Sequence, residues 1–204
     1  MTTLENLQIG TYGWQHDSWL GSFYPEDLPE EWQLDYFSNA FRVVLVPQSE
    51  WLSWSTERLQ NVMESVEGDF EFYFAVQDTL NADELELLKL VVSILGKRAS
   101  GVVVWSEVAF TDLTIQSLPV TLISSQHCLS GWKWQAEGMW MSGNPLGFVS
   151  ELSTDGKTQA ALLGTFMASL PIDEKQGAPF IVGGAKVDMQ QVANLKIVGE
   201  LLGY

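Results

Sequence analysis

Asp78 and Glu107 each stand just past an apolar run of β character, FEFYFAVQ ending at Gln77 and GVVVW ending at Trp105. Two carboxylates on opposite walls of one pocket, with separated pKa values, suffice for general acid–base chemistry. Lys186, in GGAK after the run FIV, adds a cation suited to a developing anion. The plainer reading of all three is that they are solvated loop residues, since strand ends are commonly polar.

Other residues fit binding better than reaction. Gly183 and Gly184 lie between a predicted strand and a predicted helix N-terminus, a geometry that binds anions. They lack the Gly-x-x-x-x-Gly-Lys spacing of a phosphate loop, so a tight turn is the preferred reading. His16, Gln77 and His127 also fall just past predicted strands, and Trp14 and Trp19 in the predicted first loop. Exposed rings of Trp14 and Trp19 would stack on a sugar, a nucleobase or another aromatic ligand. Buried, the same rings would seal the end of the core. The sequence leaves both readings of Trp14 and Trp19 open, whereas Trp32 and Trp105 are read as core. His127 and Cys128 are adjacent, hence on opposite faces of an extended segment. They make no dyad, and Cys128 is expected to be a small buried residue. Two histidines and one cysteine exclude a histidine- or cysteine-rich metal site, and no Asp-x-Asp pattern suggests a carboxylate one. No metal and no cofactor are expected.

Positioning these residues falls to an alternation of strands and helices. Gln8–Thr11, Arg42–Val46, Phe70–Val76, Gly101–Trp105, Val120–Ser124, Leu146–Leu152 and Phe180–Gly183 read as strands, with a doubtful one at Gly138–Met141. Helices are expected from Asp27 (with Glu30 in capping-box position), Ser55, Asn81 (with Glu84), about Gln159, and Asp188 (with Gln191). Strands alternating with helices imply parallel strands joined by right-handed crossovers. A TIM-like (β/α) barrel of the α/β class is the leading solution, and a doubly wound parallel sheet is the alternative. A typical barrel takes roughly 250 residues, so a chain of 204 residues must form a trimmed or incomplete one. A single domain over 1–204 is expected, because no low-complexity linker divides the chain.

Composition narrows the partners. The net charge of −16 repels phosphate backbones and anionic lipid, so neither nucleic acid nor membrane is an expected partner. No stretch approaches the roughly 20 apolar residues of a bilayer span. The opening MTTLENLQIG lacks the pattern of a secretory signal, which leads to a cytoplasmic expectation. Nine tryptophans in a chain that is 12% aromatic need somewhere to pack. A homo-oligomer built on exposed aromatic surface, including Trp132 and Trp134, is one outlet.

One stretch also carries a family likeness. IGTYGWQHDSWLGSFYPEDLPEEW holds Gly10, Gly13, Trp14, Trp19, Gly21, Phe23, Tyr24, Pro25 and Trp32 in an order that resembles the start of the YecE-like proteins, the domain of unknown function 72 family. FSNAFRVVLV, FEFYFAVQ and FIVGGAK with QQVANL are similar to later steps of that family. The resemblance implies a TIM-type barrel. It brings no settled activity.

The departures concern the polar strand ends. Leu45, Val46, Pro47 and Gln48 replace the family's Glu-Ile-Asn-Ser, Gln77 replaces a lysine, and Trp105, Ser106 and Glu107 replace Gln-Leu-Pro-Pro. No counterpart exists to its Glu-Phe-Arg-His or His-Gly segments, and Gly183 and Gly184 stand for paired asparagines. A divergent, shortened and catalytically degenerate barrel fits that pattern, binding a small ligand or a partner at its C-terminal mouth. An acid/base enzyme, a hydrolase for example, and a protein-interaction or self-association module are the alternatives.

Overall fold

The run LQIGTY turns Leu7, Ile9 and Thr11 outward and Gln8, Gly10 and Tyr12 inward, and forms strand β1 (Leu7–Tyr12) between β2 and β10 in the sheet. The protein is described by a computed structural model covering residues 7–171 and 178–204. After β1 come α1 (Gln33–Ala40), β2 (Val43–Val46), α2 (Gln48–Trp51), α3 (Thr56–Glu64), β3 (Glu71–Gln77), α4 (Ala82–Leu95) and β4 (Ala99–Trp105). A stretch without α-helix follows: β5 (Thr114–Ile115), β6 (Leu118–Ser124), β7 (Trp132–Ala136), β8 (Met139–Gly143) and β9 (Gly147–Val149). The helical rhythm then resumes with α5 (Gly156–Ser169), β10 (Ala178–Val182) and α6 (Met189–Leu202).

Hydrogen-bonded neighbours run β7-β8-β6-β4-β3-β2-β1-β10-β9, with β5 paired to β6 outside this path. Strands β6, β4, β3, β2, β1, β10 and β9 are mutually parallel, and β8 is antiparallel to both β6 and β7. The sheet curls on itself. Tyr12 on β1 meets Trp105 on β4 edge to face at 6.0 Å, and Trp105 meets Phe148 on β9 at 5.3 Å. Those strands are not neighbours, so the rings meet across an interior. That is a nearly closed, trimmed TIM-like barrel and not a doubly wound sheet. The expected parallel order fails between β4 and β9, where an antiparallel hairpin replaces βα units. Residues 126–138 lack helical periodicity, so the chain turns back at Glu137 and Gly138, both at positive φ (51° and 76°).

Local signals explain most element boundaries. Asn81 accepts from the amides of Asp83 and Glu84 while Glu84 returns a bond to the Asn81 amide, the expected capping box. Ser55 caps α3 through the Arg58 amide. The box expected at Asp27 does not form: prolines at 25 and 29 bias the residues before them away from helix. A 3-10 turn at Glu30–Trp32 leads into α1 instead. At α6, Asp188 caps the Gln190 amide, but the Gln191 side chain accepts from Gln159 of α5 at 3.2 Å rather than closing a box.

The outer face of the sheet carries much of the aromatic core. Phe72 stacks obliquely on Phe70, Phe70 meets Phe37 of α1, and Phe74 meets Trp51 and Trp54. Trp132 and Trp134, at 8% and 6% exposure, pack against Phe166 of α5, and Trp134 also meets Phe180. They therefore supply no exposed aromatic surface for self-association. Trp32 is the reverse case: expected in the core, it is 62% exposed, because the turn that replaces the first helical turn faces it outward. Cys128, expected buried, is exposed in the loop before β7.

Candidate functional site

The C-terminal ends of the parallel strands form one mouth, and its floor is aromatic. Tyr12, Trp105 and Phe148 fill the lumen there, each partly exposed, and burial raises the Tyr12 phenol above its ordinary pKa. Gly183 is required beneath them, since a Cβ there would stand 2.5 Å from the Phe148 ring. Gly184, at φ +102°, turns the chain where a side chain would strike the Ser150 carbonyl at 2.3 Å. Both glycines thus serve close packing at the mouth. Gln77 is the register partner of Trp105, so it points into the same mouth, and it is exposed there.

The first βα loop folds over the barrel end. Trp14 and Trp19 are both 1% exposed, which settles the open alternative in favour of sealing the core. Trp14 lies against Trp54, and its carbonyl accepts from the Tyr24 hydroxyl. The Trp19 indole lies parallel to Phe37, and its Nε1 donates to the Val187 carbonyl at 2.8 Å. The His16 ring lies 4.4 Å from Trp19, and its Nε2 donates to the Tyr12 carbonyl at 3.1 Å. The first and last βα loops are thereby tied together. Between them opens a cleft of about 600 Å³ lined by Asp17, Ser18, Trp19, Ser22 and residues 185–189. Trp19 and Lys186, far apart in sequence, meet at this cleft with Asp17 and Asp188.

The acid–base residues are arranged otherwise than expected. Asp78 and Glu107 follow the neighbouring strands β3 and β4, not opposite walls, and the Asp78 amide donates to the Trp105 carbonyl at 2.8 Å. Asp78 takes φ 59°, a left-handed turn that aspartate tolerates. Glu107 braces a loop: its carboxylate accepts from the Ser125 amide (2.9 Å), the Ser125 hydroxyl (2.8 Å) and the Ser124 hydroxyl (3.1 Å). Those bonds, from Ser125 above all, then Ser124, with the His127 charge after them, hold the Glu107 carboxyl below its usual range. His127 Nε2 donates to the Glu107 carbonyl at 3.1 Å, so this histidine braces the same loop. Lys186 belongs to the cleft beyond β10, whereas Asp78 and Glu107 follow β3 and β4, two and three strands round the barrel from β1. Among the described residues, no group of three or more His, Cys, Asp or Glu is placed to hold a metal ion.

Tyr12, Phe148 and Asp188 were not singled out as site residues from sequence. A period-two signal did exist for Tyr12, which shares a face with Gln8 and Gly10. Phe148 had none, as its three-residue strand is too short to show a period.

Residues 8–87 match the family model described as "Protein of unknown function DUF72". No curated protein matches the sequence. The fold is similar to the crystal structure of a DUF72 family protein from Thermotoga maritima MSB8, with a TM-score of 0.60 at 12% identity over 97% of this chain and 99% of that one. The likeness thus extends well beyond the matched segment, and it is a likeness of fold. Residues 8–87 are thus similar to the DUF72, or YecE-like, family, and the fold of the chain is similar to that of a solved protein of that family.

Proposed function

We propose that the protein is a binding barrel without a catalytic acid–base pair, taking a small polar molecule at its C-terminal mouth in the cleft between the first and last βα loops. The carrying observation is that cleft of about 600 Å³, where Lys186, Asp17 and Asp188 offer charges of both signs over the buried Trp19. Mixed charge suits a zwitterion or a polyol better than a plain anion. The carboxylate best placed for chemistry, Glu107, is committed to three hydrogen bonds from Ser124 and Ser125 at the end of β6, which argues against a role as general acid.

A thermal-shift screen with amino acids, sugars and short diols tests the reading. At least one class is expected to raise the melting temperature of the native protein, and Ala185→Trp, which fills the cleft from an exposed position, is expected to abolish the shift. Stabilisation that survives Ala185→Trp and disappears in Asp78→Asn would favour the acid/base enzyme instead.

A further inference from the structure

The barrel is left open along one side, and the opening has chemistry of its own. Strands β7 and β9 end the hydrogen-bonded path, so each presents an unladdered edge to the other. The Phe148 amide, on the β9 edge, donates to the Met141 thioether at 3.3 Å instead of to a strand carbonyl. Across the top of the seam, the Glu137 carboxylate accepts from the Ser150 amide (2.8 Å), the Ser150 hydroxyl (2.7 Å) and the Glu151 amide (3.0 Å). Helix α5 lies over the gap without filling it. A cavity of about 490 Å³ remains between β7, β9 and α5, within the range of small-molecule sites.

Its walls divide by chemistry. Trp134, Val149, Leu152 and Leu162 give apolar surface, while among the described residues the only charged side chains lining it are the carboxylates of Glu137 and Glu151. Glu137 is already bonded. The Glu151 carboxylate has no hydrogen bond or ion pair to a described residue, so it is free to receive a donor. A neutral apolar molecule would leave that acceptor unanswered, and an anion would be repelled.

The geometry points to a second ligand site in this seam, separate from the mouth, for a primary ammonium carried on an apolar body. The ring or chain lies on Trp134 and Leu162, and the ammonium donates to Glu151.

The test uses three probes of one shape: 2-phenylethylammonium, 2-phenylethanol and 3-phenylpropanoate, titrated into the intact protein and followed by NMR. The amine is expected to bind about 10-fold tighter than the alcohol, a modest margin for one partly exposed charge pair, with the acid weakest. Glu151→Gln is expected to bring the amine down to the affinity of the alcohol, and Leu162→Trp to remove both. Glu86→Gln, an exposed acid on α4 remote from the seam, separates this site from the general field of an acidic protein and is expected to change nothing. Ala185→Trp at the mouth is expected to leave amine binding intact. Equal loss in Glu86→Gln and Glu151→Gln, indifference to Leu162→Trp in folded protein, or no preference for the amine overturns the proposal.

Discussion

Glu107 shows how a residue with catalytic credentials becomes a structural one. Its hydrogen bonds are strongest to the charged carboxylate, so its pKa is depressed on folding, and the sign of its pH dependence follows. The bracing is present above the unfolded carboxyl value of about 4.3 and is lost as pH falls through the lower folded value. Amide exchange checks this. The Ser125 amide is expected to be protected at neutral pH, to lose protection in acid, and to lack it at any pH in Glu107→Ala. Equal protection in that variant would remove the bracing role. Tryptophans give a second contrast at this scale. Trp51 is wholly buried with its Nε1 bonded to the Ala75 carbonyl at 2.8 Å, whereas Trp32 stands 62% exposed. By urea unfolding, Trp51→Ala is expected to cost about 3–5 kcal/mol and Trp32→Ala to stay within about 0.5 kcal/mol. Sequence placed Trp32 in a helix and left Trp51 between the expected strand ending at Val46 and the expected helix from Ser55, so it could not rank their burial. What separates them is one proline-delayed turn before α1.

At the scale of elements, legibility followed the reach of the signal. Asn81 and Glu84 satisfy each other's backbone amides within one turn, so the sequence contains the whole interaction. Asn81→Ala is expected to destabilise the protein by about 1 kcal/mol in chemical denaturation, and an unchanged midpoint would contradict the capping account. The strands β1 to β4 and β10 were equally plain, because runs such as VVLV and GVVVW have few other places to go. In the segment from β5 to β9 the strands β6, β8 and β9 were legible too, but β5, β7 and the antiparallel pairing were not. Its hairpin depends on positive φ at Glu137, which no residue type there advertises, and on α5 arriving from later in the chain to cover Trp132 and Trp134. Gln191 illustrates the same limit: its spacing fits a capping box, yet a partner on α5 claims its side chain.

The whole molecule combines a well-marked scaffold with a mouth whose polar groups mostly hold loops in place. The barrel class and its trimming could be read from the βα rhythm and the chain length, while the place of the open seam between β7 and β9 could not, since it arises from the absence of pairing. The cleft was half legible: Trp19 and Lys186 stood out separately, but only the Trp19–Val187 bond brings them together. No helix among the described residues is long and apolar enough to cross a membrane. The central claim, a small polar ligand in the cleft between the first and last βα loops, has a built-in reporter. Nine tryptophans give nine indole N–H resonances, and Trp19 lines the cleft while Trp51 is buried away from it. The decisive measurement is a titration of the native protein, followed at those resonances, with each amino acid, sugar or diol that stabilises it. The Trp19 resonance is expected to shift with saturation while that of Trp51 stays still. A stabilising ligand that leaves Trp19 unmoved would contradict the account.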